Sequence, residues 1–433
     1  MKDEIGVVSA PTEELAPVER KDVVKLALDI GEHMLICGGE VDRVEETISR
    51  ICNAYGAIRT DVFSITSVTI VTATWEDGET ITQSKRVPGV SRNFDKLGAL
   101  NEIARQMCRR QISFSAAKKA IGDIITNKKP STLMKFFGSL LSSGGFVLFF
   151  GGTFRDCLAA MIAGVIIFIL DKYIYNTKIN AVVYYMLASF AAGLVSIGTV
   201  YAGIGEHLDM IMIGCIMLVI PGVNFTSAVE DVLVGDTATG TLKFCESILL
   251  ACSIAGGFAF AVFLCNCSDL LLLKAGAPDM SPWLQSFLEV LWAAVGSLGF
   301  SLLFCLKGRR LFWASLGGAL AWMAYMLVDN FSGGNLFLCG TVSAMVATAY
   351  AEIFARILKT PKTAFVFTGI IPMVPGGGLY YTMSNLITRN YGEAFKSASS
   401  TSITAIALAF GIVVVILWVK AIKYLKAKKK TAH

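Results

Sequence analysis

The chain has 433 residues, of which 54% are hydrophobic and 16% are charged, and its formal net charge is +5. Soluble globular proteins average about 25% charged residues, so this composition excludes a purely soluble protein. The lysines near the C-terminus account for much of the net charge, so no nucleic-acid partner is expected. Most acidic residues precede residue 130, which indicates a polar head followed by a membrane body.

The head begins with polar residues 1–20, which contain two prolines and are predicted to be disordered. No short apolar run with a cleavage site is visible there, so we expect no signal peptide and a head that stays in the cytoplasm. Residues 21–130 are predicted to form a small α+β domain. Its elements, in chain order, are two helices within 22–55 separated by Gly38-Gly39, a strand over 61–75, a hairpin turn at 76–79, a strand over 80–87, and helices over 94–107 and 116–125.

The membrane body contains ten nearly charge-free windows, most of them close to the roughly 17 to 25 residues that a spanning helix needs. These windows are 136–154, 157–170, 179–205, 210–229, 247–268, 290–306, 311–328, 335–351, 363–388 and 397–419. We therefore predict a polytopic α-helical membrane protein with five spans in 131–280, five in 281–422, and a basic tail at 423–433. Basic residues concentrate in the loops that an internal N-terminus makes cytoplasmic, so both termini are predicted to be cytoplasmic.

Two Pro-Gly steps, Pro221-Gly222 and Pro375-Gly376, lie 375 − 221 = 154 residues apart. At the same spacing Ser143, Gly145, Phe146, Leu148 and Phe150 recur as Ser297, Gly299, Phe300, Leu302 and Phe304. Five spans in each half is an odd number, so two halves of the same fold would enter the membrane from opposite sides. The spacing therefore predicts two inverted five-helix repeats, an arrangement typical of secondary transporters.

Each Pro-Gly step should interrupt its helix, because proline removes a backbone donor and the freed groups need protein or water partners. The predicted helix-break residues are Pro221, Gly222, Pro375, Gly376, Gly377 and Gly378. The polar side chains that follow the breaks are predicted to bind a small zwitterionic substrate. They are Asn224, Thr226, Ser227, Tyr380, Tyr381 and Asn385. A helix N-terminus would suit the carboxylate of such a substrate.

Three acidic residues follow the first break: Glu230, Asp231 and Asp236. Asp231 aligns with Asn385 at the 154-residue spacing, so only one half supplies an acid there, and we predict a proton-coupling role for this group with Asp231 as the first candidate. The alternative is that the Pro-Gly steps are ordinary helix ends and that Glu230 and Asp231 lie in an aqueous loop. Both interpretations are open at this point.

Enzymatic and metal motifs are not visible in the sequence. The eleven cysteines are scattered without zinc-site spacing, and no HExxH, GxSxG or phosphate-binding loop occurs. We therefore predict neither catalysis nor a cofactor nor a metal.

Several short motifs resemble the threonine/serine exporter family, and together they cover nearly the whole chain. They are Gly38-Gly39-Glu40 with Arg43-Val44-Glu45, Lys85-Arg86-Val87, Pro221 to Thr226, Asp231 to Asp236, Gly340 to Ser343, and Ile370 to Gly378. The resemblance implies a bacterial cytoplasmic-membrane exporter of small amino acids, driven by the proton gradient, with a cytoplasmic N-terminal domain and about ten spans. The residues of this sequence that match the family most securely are Asp231, Gly235 and Asp236.

The expected partners are threonine, serine, protons and the lipid bilayer, with a homo-oligomer as a further expectation. Some members of the family are split near the position of residue 280 and are linked to dicarboxylate export, so a succinate-like substrate is one alternative. A passive channel, or a membrane sensor whose head binds a partner protein, is another.

Overall fold

The computed structural model describes residues 18–89, 91–127, 131–174, 179–267 and 281–431. The described chain divides into an N-terminal unit, up to residue 127, and a membrane unit, from residue 131. The predicted disorder at 1–20 lies almost wholly outside the described residues, and so does the loop at which the two halves of the membrane body were expected to join.

The N-terminal unit combines four helices with a three-stranded antiparallel sheet of order β1-β2-β3. Its elements are α1 (Arg20–Ile36), α2 (Val41–Ala54), β1 (Arg59–Ile65), β2 (Val68–Thr74), β3 (Thr80–Arg86), α3 (Phe94–Cys108) and α4 (Phe114–Asn127). The break between α1 and α2 falls at the predicted glycines: Gly38 has a positive φ of 87°, and a Cβ on Gly39 would lie 2.9 Å from the Met34 carbonyl oxygen.

The strand predicted over 61–75 is wrong as a single element. Two strands occupy this stretch, because the chain reverses between Ile65 and Val68, which pair directly with each other. The turn consists of Thr66 and Ser67, which are not strong turn formers, so the apolar and β-branched pattern runs through it unmarked. The second hairpin, where Thr74 pairs with Thr80, agrees with the predicted turn at 76–79.

An ion-pair cluster joins the sheet to the first helix. The Lys85 ammonium on β3 bonds the Asp29 carboxylate and lies 2.7 Å from a Glu32 oxygen, both on α1. Partial burial tends to lower the pKa of Lys85, but the hydrogen bonds that its ammonium donates to Asp29 and Glu32 outweigh this effect and raise that pKa above 10.5. Lys85 belongs to the motif Lys85-Arg86-Val87, and its contacts hold β3 against α1.

The membrane unit is helical throughout its described residues. Its helices are α5 (Thr132–Phe149), α6 (Phe154–Tyr173), α7 (Ala181–Tyr201), α8 (Leu208–Val219), α9 (Gly222–Val234), α10 (Thr237–Leu264), α11 (Pro282–Leu303), α12 (Arg309–Ser332), α13 (Leu336–Ile357), α14 (Lys362–Ile370), α15 (Gly376–Ile387) and α16 (Tyr391–Thr431). A short 3-10 turn, Ile371–Met373, leads from α14 toward α15. Helix α16 continues into the residues predicted as a basic tail.

Within the described ranges, seven helices are long and apolar enough to cross a membrane, and the number rises to nine if each of two bent pairs counts as one span. The bent pairs are α8 with α9, at 51°, and α14 with α15, at 43°. Ten spans were predicted. The remaining window, 157–170, lies in α6, a 20-residue helix with Arg155, Asp156, Asp171 and Lys172 near its ends.

The packing of the membrane unit brings distant segments together. Helix α5 packs along α11, α7 along α10, and α13 along α16, while α8 and α15 also contact each other. Small residues allow the closest approaches: a Cβ on Gly299 of α11 would lie 2.6 Å from the backbone nitrogen of Ser142 on α5. The two bent pairs are held among these straight helices.

Candidate functional site

The two helix breaks, 154 residues apart in sequence, meet in space. A Cβ on Gly222 would lie 2.0 Å from a methyl carbon of Val374, just before the second break. A Cβ on Gly376 would lie 2.3 Å from the Met217 sulfur, just before the first break. Glycine is therefore required at both positions by a close approach between the breaks, beyond its role in ending a helix.

Helices α9 and α15 both begin at these breaks, with Pro221 and Pro375 as their N-cap residues. Neither N-terminus has a side-chain hydrogen bond that caps it. The first amide groups of a helix have no partner within the helix, and the helix dipole makes that end positive. Two such ends close together are a favourable place for a carboxylate.

The glycines that follow Pro375 allow α15 to lie close to its neighbours. A Cβ on Gly377 would lie 3.4 Å from the Phe150 ring, and one on Gly378 would lie 2.2 Å from the Thr401 hydroxyl oxygen on α16. All six predicted helix-break residues therefore lie at or beside the two bends. Their role in a transport site stays a prediction.

The predicted substrate-binding residues form two groups. Thr226 on α9 is buried and donates its hydroxyl hydrogen to the Gly222 carbonyl at 3.0 Å, while Asn224 and Ser227 are half-buried. On α15, Tyr380 is 1% exposed, and Tyr381 and Asn385 are half-buried. Helix α9 packs mainly on α10 and α16, whereas α15 packs on α8, α10 and α16. Helices α9 and α15 are thus brought together where they begin, at the breaks, and their main contacts further along are with other helices.

The three predicted proton-coupling residues lie toward the far end of α9. The Asp231 carboxylate is 2.6 Å from the Lys243 ammonium on α10, and both side chains are about one-fifth exposed. Asp236 is the N-cap of α10 and accepts a hydrogen bond from the Thr239 amide at 3.3 Å. Glu230 is half-buried. Gly235, with a φ of 105°, makes the turn between α9 and α10.

A second group of polar residues lies at the start of α8 and is not among the site residues predicted from the sequence. The Asp156 carboxylate, fully buried on α6, accepts hydrogen bonds from the Thr153 amide and hydroxyl, from the Glu206 and His207 amides, and from the His207 ring. With five donors this carboxylate is saturated. It fastens the loop before α8 to the N-terminus of α6.

Asp209 follows this tie by two residues and has a different environment. It is 1% exposed, and one of its oxygens accepts the Met210 amide hydrogen at 2.9 Å. Among the described residues the other oxygen is buried without a hydrogen-bond partner. Leu208 and Met212, which flank Asp209 on α8, lie in the same buried cluster as Tyr380 and Met383 of α15. In the sequence, the signal for this buried acid is that an aspartate directly precedes the apolar window 210–229.

A small apolar cavity lies beside Tyr380, between α8, α10 and α15. It is lined by Ile216, Ile220, Ala251, Ile254, Ala255, Leu379, Tyr380 and Met383. Its volume of about 20 Å³ is room for one water molecule. Admission of anything larger requires α8 and α15 to move apart.

Two family models match the chain. Residues 25–265 match the model described as "Putative threonine/serine exporter", and residues 289–418 match the model described as "Threonine/Serine exporter, ThrE". Together they span the N-terminal unit and both halves of the membrane unit.

Curated relatives agree with this match. The chain is 22% identical over 426 residues to a threonine/serine exporter from Corynebacterium glutamicum, which covers 93% of this chain and 85% of the relative. It is 20% identical over 409 residues to a probable threonine/serine exporter from Mycobacterium tuberculosis, with coverages of 91% and 75%.

A third relative differs in its described substrate. The probable succinate transporter subunit YjjP from Klebsiella aerogenes is 20% identical over 245 residues, which is 56% of this chain and 94% of that protein. No solved structure matches the chain.

Proposed function

The chain belongs to the threonine/serine exporter family, and we propose that it exports threonine and serine across the cell membrane in exchange for protons. The family and the apolar helices make it a multi-pass membrane protein and a transporter. The observation that carries the proposal is the meeting of two helix breaks, with Gly222 against Val374 and Gly376 against Met217.

We place the carboxylate of the substrate at the paired N-termini of α9 and α15. Both ends lack a side-chain cap, so a bound carboxylate would satisfy their amide groups and benefit from both dipoles. Polar side chains on the first turns would complete the site, with Asn224, Thr226 and Ser227 on one side and Tyr380, Tyr381 and Asn385 on the other.

Proton coupling is assigned to Asp231 as the first candidate. Its carboxylate is held by Lys243 at 2.6 Å, and protonation of the aspartate would release this lysine and loosen α9 from α10. Glu230 is adjacent and is kept as a second candidate. For Asp236 the capping contact with Thr239 supports a structural contribution alongside the proposed one.

The proposed architecture has ten spans, with α6 as the tenth, in two inverted five-helix repeats. The 154-residue spacing recurs in the contacts: Ser142 approaches Gly299, and Gly145 approaches Gly296, a pair of contacts that the spacing interchanges. Likewise a Cβ on Gly164 would meet the Ser143 hydroxyl, and one on Gly318 would meet the Ser297 hydroxyl. Reciprocal contacts of this kind support a two-fold relation between the halves.

A dicarboxylate such as succinate is the second candidate substrate, because a relative described as a succinate transporter subunit matches over most of its own length. With the N-terminus and C-terminus both cytoplasmic, as proposed from the basic loops, Lys243 lies toward the cytoplasmic side, from which either substrate would enter.

The test is efflux of labelled threonine, serine and succinate from proteoliposomes that contain the full chain, with and without an imposed pH gradient. The proposal expects threonine and serine efflux that the gradient stimulates, and loss of the stimulation in Asp231→Asn. Asp171→Asn is the matched control, because it removes a carboxylate paired with Lys135 at 3.1 Å, an ion pair that involves neither α9 nor α10.

If only succinate were exported, the substrate would be a dicarboxylate instead of threonine or serine, and the proposed architecture would be unaffected. Threonine efflux that ignores the pH gradient and follows only its own gradient would favour a channel. Absence of efflux for all three compounds would overturn the transport proposal in favour of a sensor whose N-terminal unit binds a partner protein.

A further inference from the structure

The strongest unexplained feature of the membrane unit is a pair of buried polar atoms on two helices that pack together. One is the free oxygen of the Asp209 carboxylate on α8, and the other is the Tyr380 hydroxyl on α15; both residues are 1% exposed. Among the described residues neither atom has a hydrogen-bond partner. The Ser384 side chain lies close enough to interact with the Tyr380 hydroxyl, but the pair does not have the geometry of a hydrogen bond.

A buried carboxylate oxygen or hydroxyl without a partner is costly, so the position needs an explanation. A structural role accounts for only part of it. Asp209 lies in the first turn of α8, where a negative charge stabilises the helix, and its other oxygen accepts the Met210 amide hydrogen. Neither contact uses the free oxygen, and the tyrosine hydroxyl is left unexplained as well.

We propose that Asp209 and Tyr380 form the subsite for the ammonium group of the transported amino acid. A primary ammonium group has three N–H donors, and the two unpartnered oxygens are acceptors of the required kind. This assignment rests on the proposed export of threonine and serine and adds to it the group that recognises the amine.

The surroundings favour a cation. Tyr380 and Tyr381 lie edge to face with ring centroids 5.4 Å apart, and aromatic faces attract ammonium groups. The ionisable groups nearest to Asp209 in the sequence of this loop are Glu206 and His207, and the His207 amide bonds the Asp156 carboxylate at 2.8 Å. The His207 ring is already bonded to the Asp156 carboxylate at 2.9 Å, which leaves Asp209 as the carboxylate with an unused acceptor.

The spacing along α15 fits a zwitterion. Tyr380 follows Gly376 by four residues, which is roughly 6 Å along a helix axis. A single amino acid can bridge this span, with its carboxylate at the helix N-terminus and its ammonium group near Tyr380 and Asp209. The adjoining apolar cavity, bounded by Ile216 and Met383, is placed to receive the substrate methyl group once α8 and α15 separate.

The test compares two ligands that differ only in the ammonium group: threonine and 3-hydroxybutyrate. Binding to the full chain in lipid nanodiscs is measured by ligand-observed NMR for wild type, Asp209→Asn, Tyr380→Phe and the control Asp171→Asn. We expect Asp209→Asn to weaken threonine binding at least tenfold, and Tyr380→Phe to weaken it several-fold. The affinity for 3-hydroxybutyrate should stay within twofold in both variants, and the control should match wild type for both ligands.

An equal loss for both ligands in Asp209→Asn would overturn the subsite, because it would indicate damage to the fold rather than to amine recognition. An unchanged threonine affinity in both variants would overturn it as well. These results differ from failure of the proposed function, in which wild type itself neither binds nor exports threonine or serine.

Discussion

Phe146 on α5 and Phe300 on α11 pack edge to face, with ring centroids 6.0 Å apart and an interplanar angle of 71°. They are 300 − 146 = 154 residues apart, which is the spacing that also relates the two Pro-Gly steps. A residue that contacts its own equivalent lies on or near a two-fold axis. This contact, with the reciprocal approach of Ser142 to Gly299 and Gly145 to Gly296, is the strongest support for inverted repeats.

The contact between the helix breaks can be tested by a rescue experiment. Gly222→Ala adds a Cβ that would lie 2.0 Å from a Val374 methyl carbon, and the β-branched valine has little freedom to move. We expect a loss of about 1–3 kcal/mol in stability and a drop in threonine efflux. Gly222→Ala combined with Val374→Ala should recover both, as measured by thermal unfolding and by efflux from proteoliposomes.

Gly256→Ala on α10 is the control for this rescue, because a Cβ there would meet nothing within 4 Å. It should be neutral or slightly stabilising, since alanine is favoured over glycine inside a helix. If the double variant were no better than Gly222→Ala alone, the close approach of the breaks would not be what limits folding and transport.

The α5–α11 interface offers a second prediction. Gly299→Ala would place a Cβ 2.6 Å from the Ser142 backbone nitrogen, whereas in Gly145→Ala the nearest atom, the Gly296 backbone nitrogen, is 3.2 Å away. We expect Gly299→Ala to lower the unfolding temperature more than Gly145→Ala does, because both substitutions meet a backbone nitrogen that cannot rotate away and the Cβ of Gly299→Ala comes closer to it. Gly198→Ala, with open space around it, should be close to wild type. Equal effects of all three would contradict close packing at this interface.

The sequence was informative where structure depends on local chemistry. Proline and glycine mark Pro221-Gly222 and Pro375-Gly376 as bends without knowledge of the fold, and long apolar windows mark the helices. It was less informative where tertiary packing decides. Thr66 and Ser67 form a turn, although neither residue type is a strong turn former. The burial of Asp209 arises only when α8 packs among α5, α6, α7 and α15, and these are contacts that the local sequence around Asp209 does not specify.

The Asp231–Lys243 pair predicts a specific response of transport to pH. Lys243→Gln removes the cation 2.6 Å from the Asp231 carboxylate, so the ion pair that joins α9 to α10 is lost. The stimulation of threonine efflux by an imposed pH gradient should therefore fall in Lys243→Gln and disappear in Asp231→Asn. Efflux rates from proteoliposomes over a series of internal and external pH values measure both effects.

Lys135→Gln is the matched control for this pair, since it breaks the contact of Lys135 with Asp171 at 3.1 Å but leaves α9 and α10 untouched. Its stimulation by the pH gradient should equal that of wild type. An Asp231→Asn protein that still responds to the proton gradient would transfer the coupling role to another carboxylate, with Glu230 next to be tested.

In the N-terminal unit, Lys85→Met should loosen the contact between β3 and α1. The substitution leaves the carboxylates of Asp29 and Glu32 close together without the cation that joins them. Because Lys85 is about one-third exposed, water offsets part of the loss, and we expect a cost on the order of 1 kcal/mol. Hydrogen exchange of α1 and β3 in the full chain should become roughly fivefold faster, while Lys25→Met, at an exposed position of α1, should leave it unchanged.

The pH dependence of this effect follows from the direction of the Lys85 shift. The folded pKa of Lys85 is raised above 10.5 by the hydrogen bonds that its ammonium donates to Asp29 and Glu32, so the stabilisation is fully present below pH 10.5 and is lost as the pH rises through the folded pKa. The difference in protection between wild type and Lys85→Met should therefore be constant from about pH 7 to 9. A difference that already shrinks across this range would mean that a group other than the lysine ammonium controls the contact.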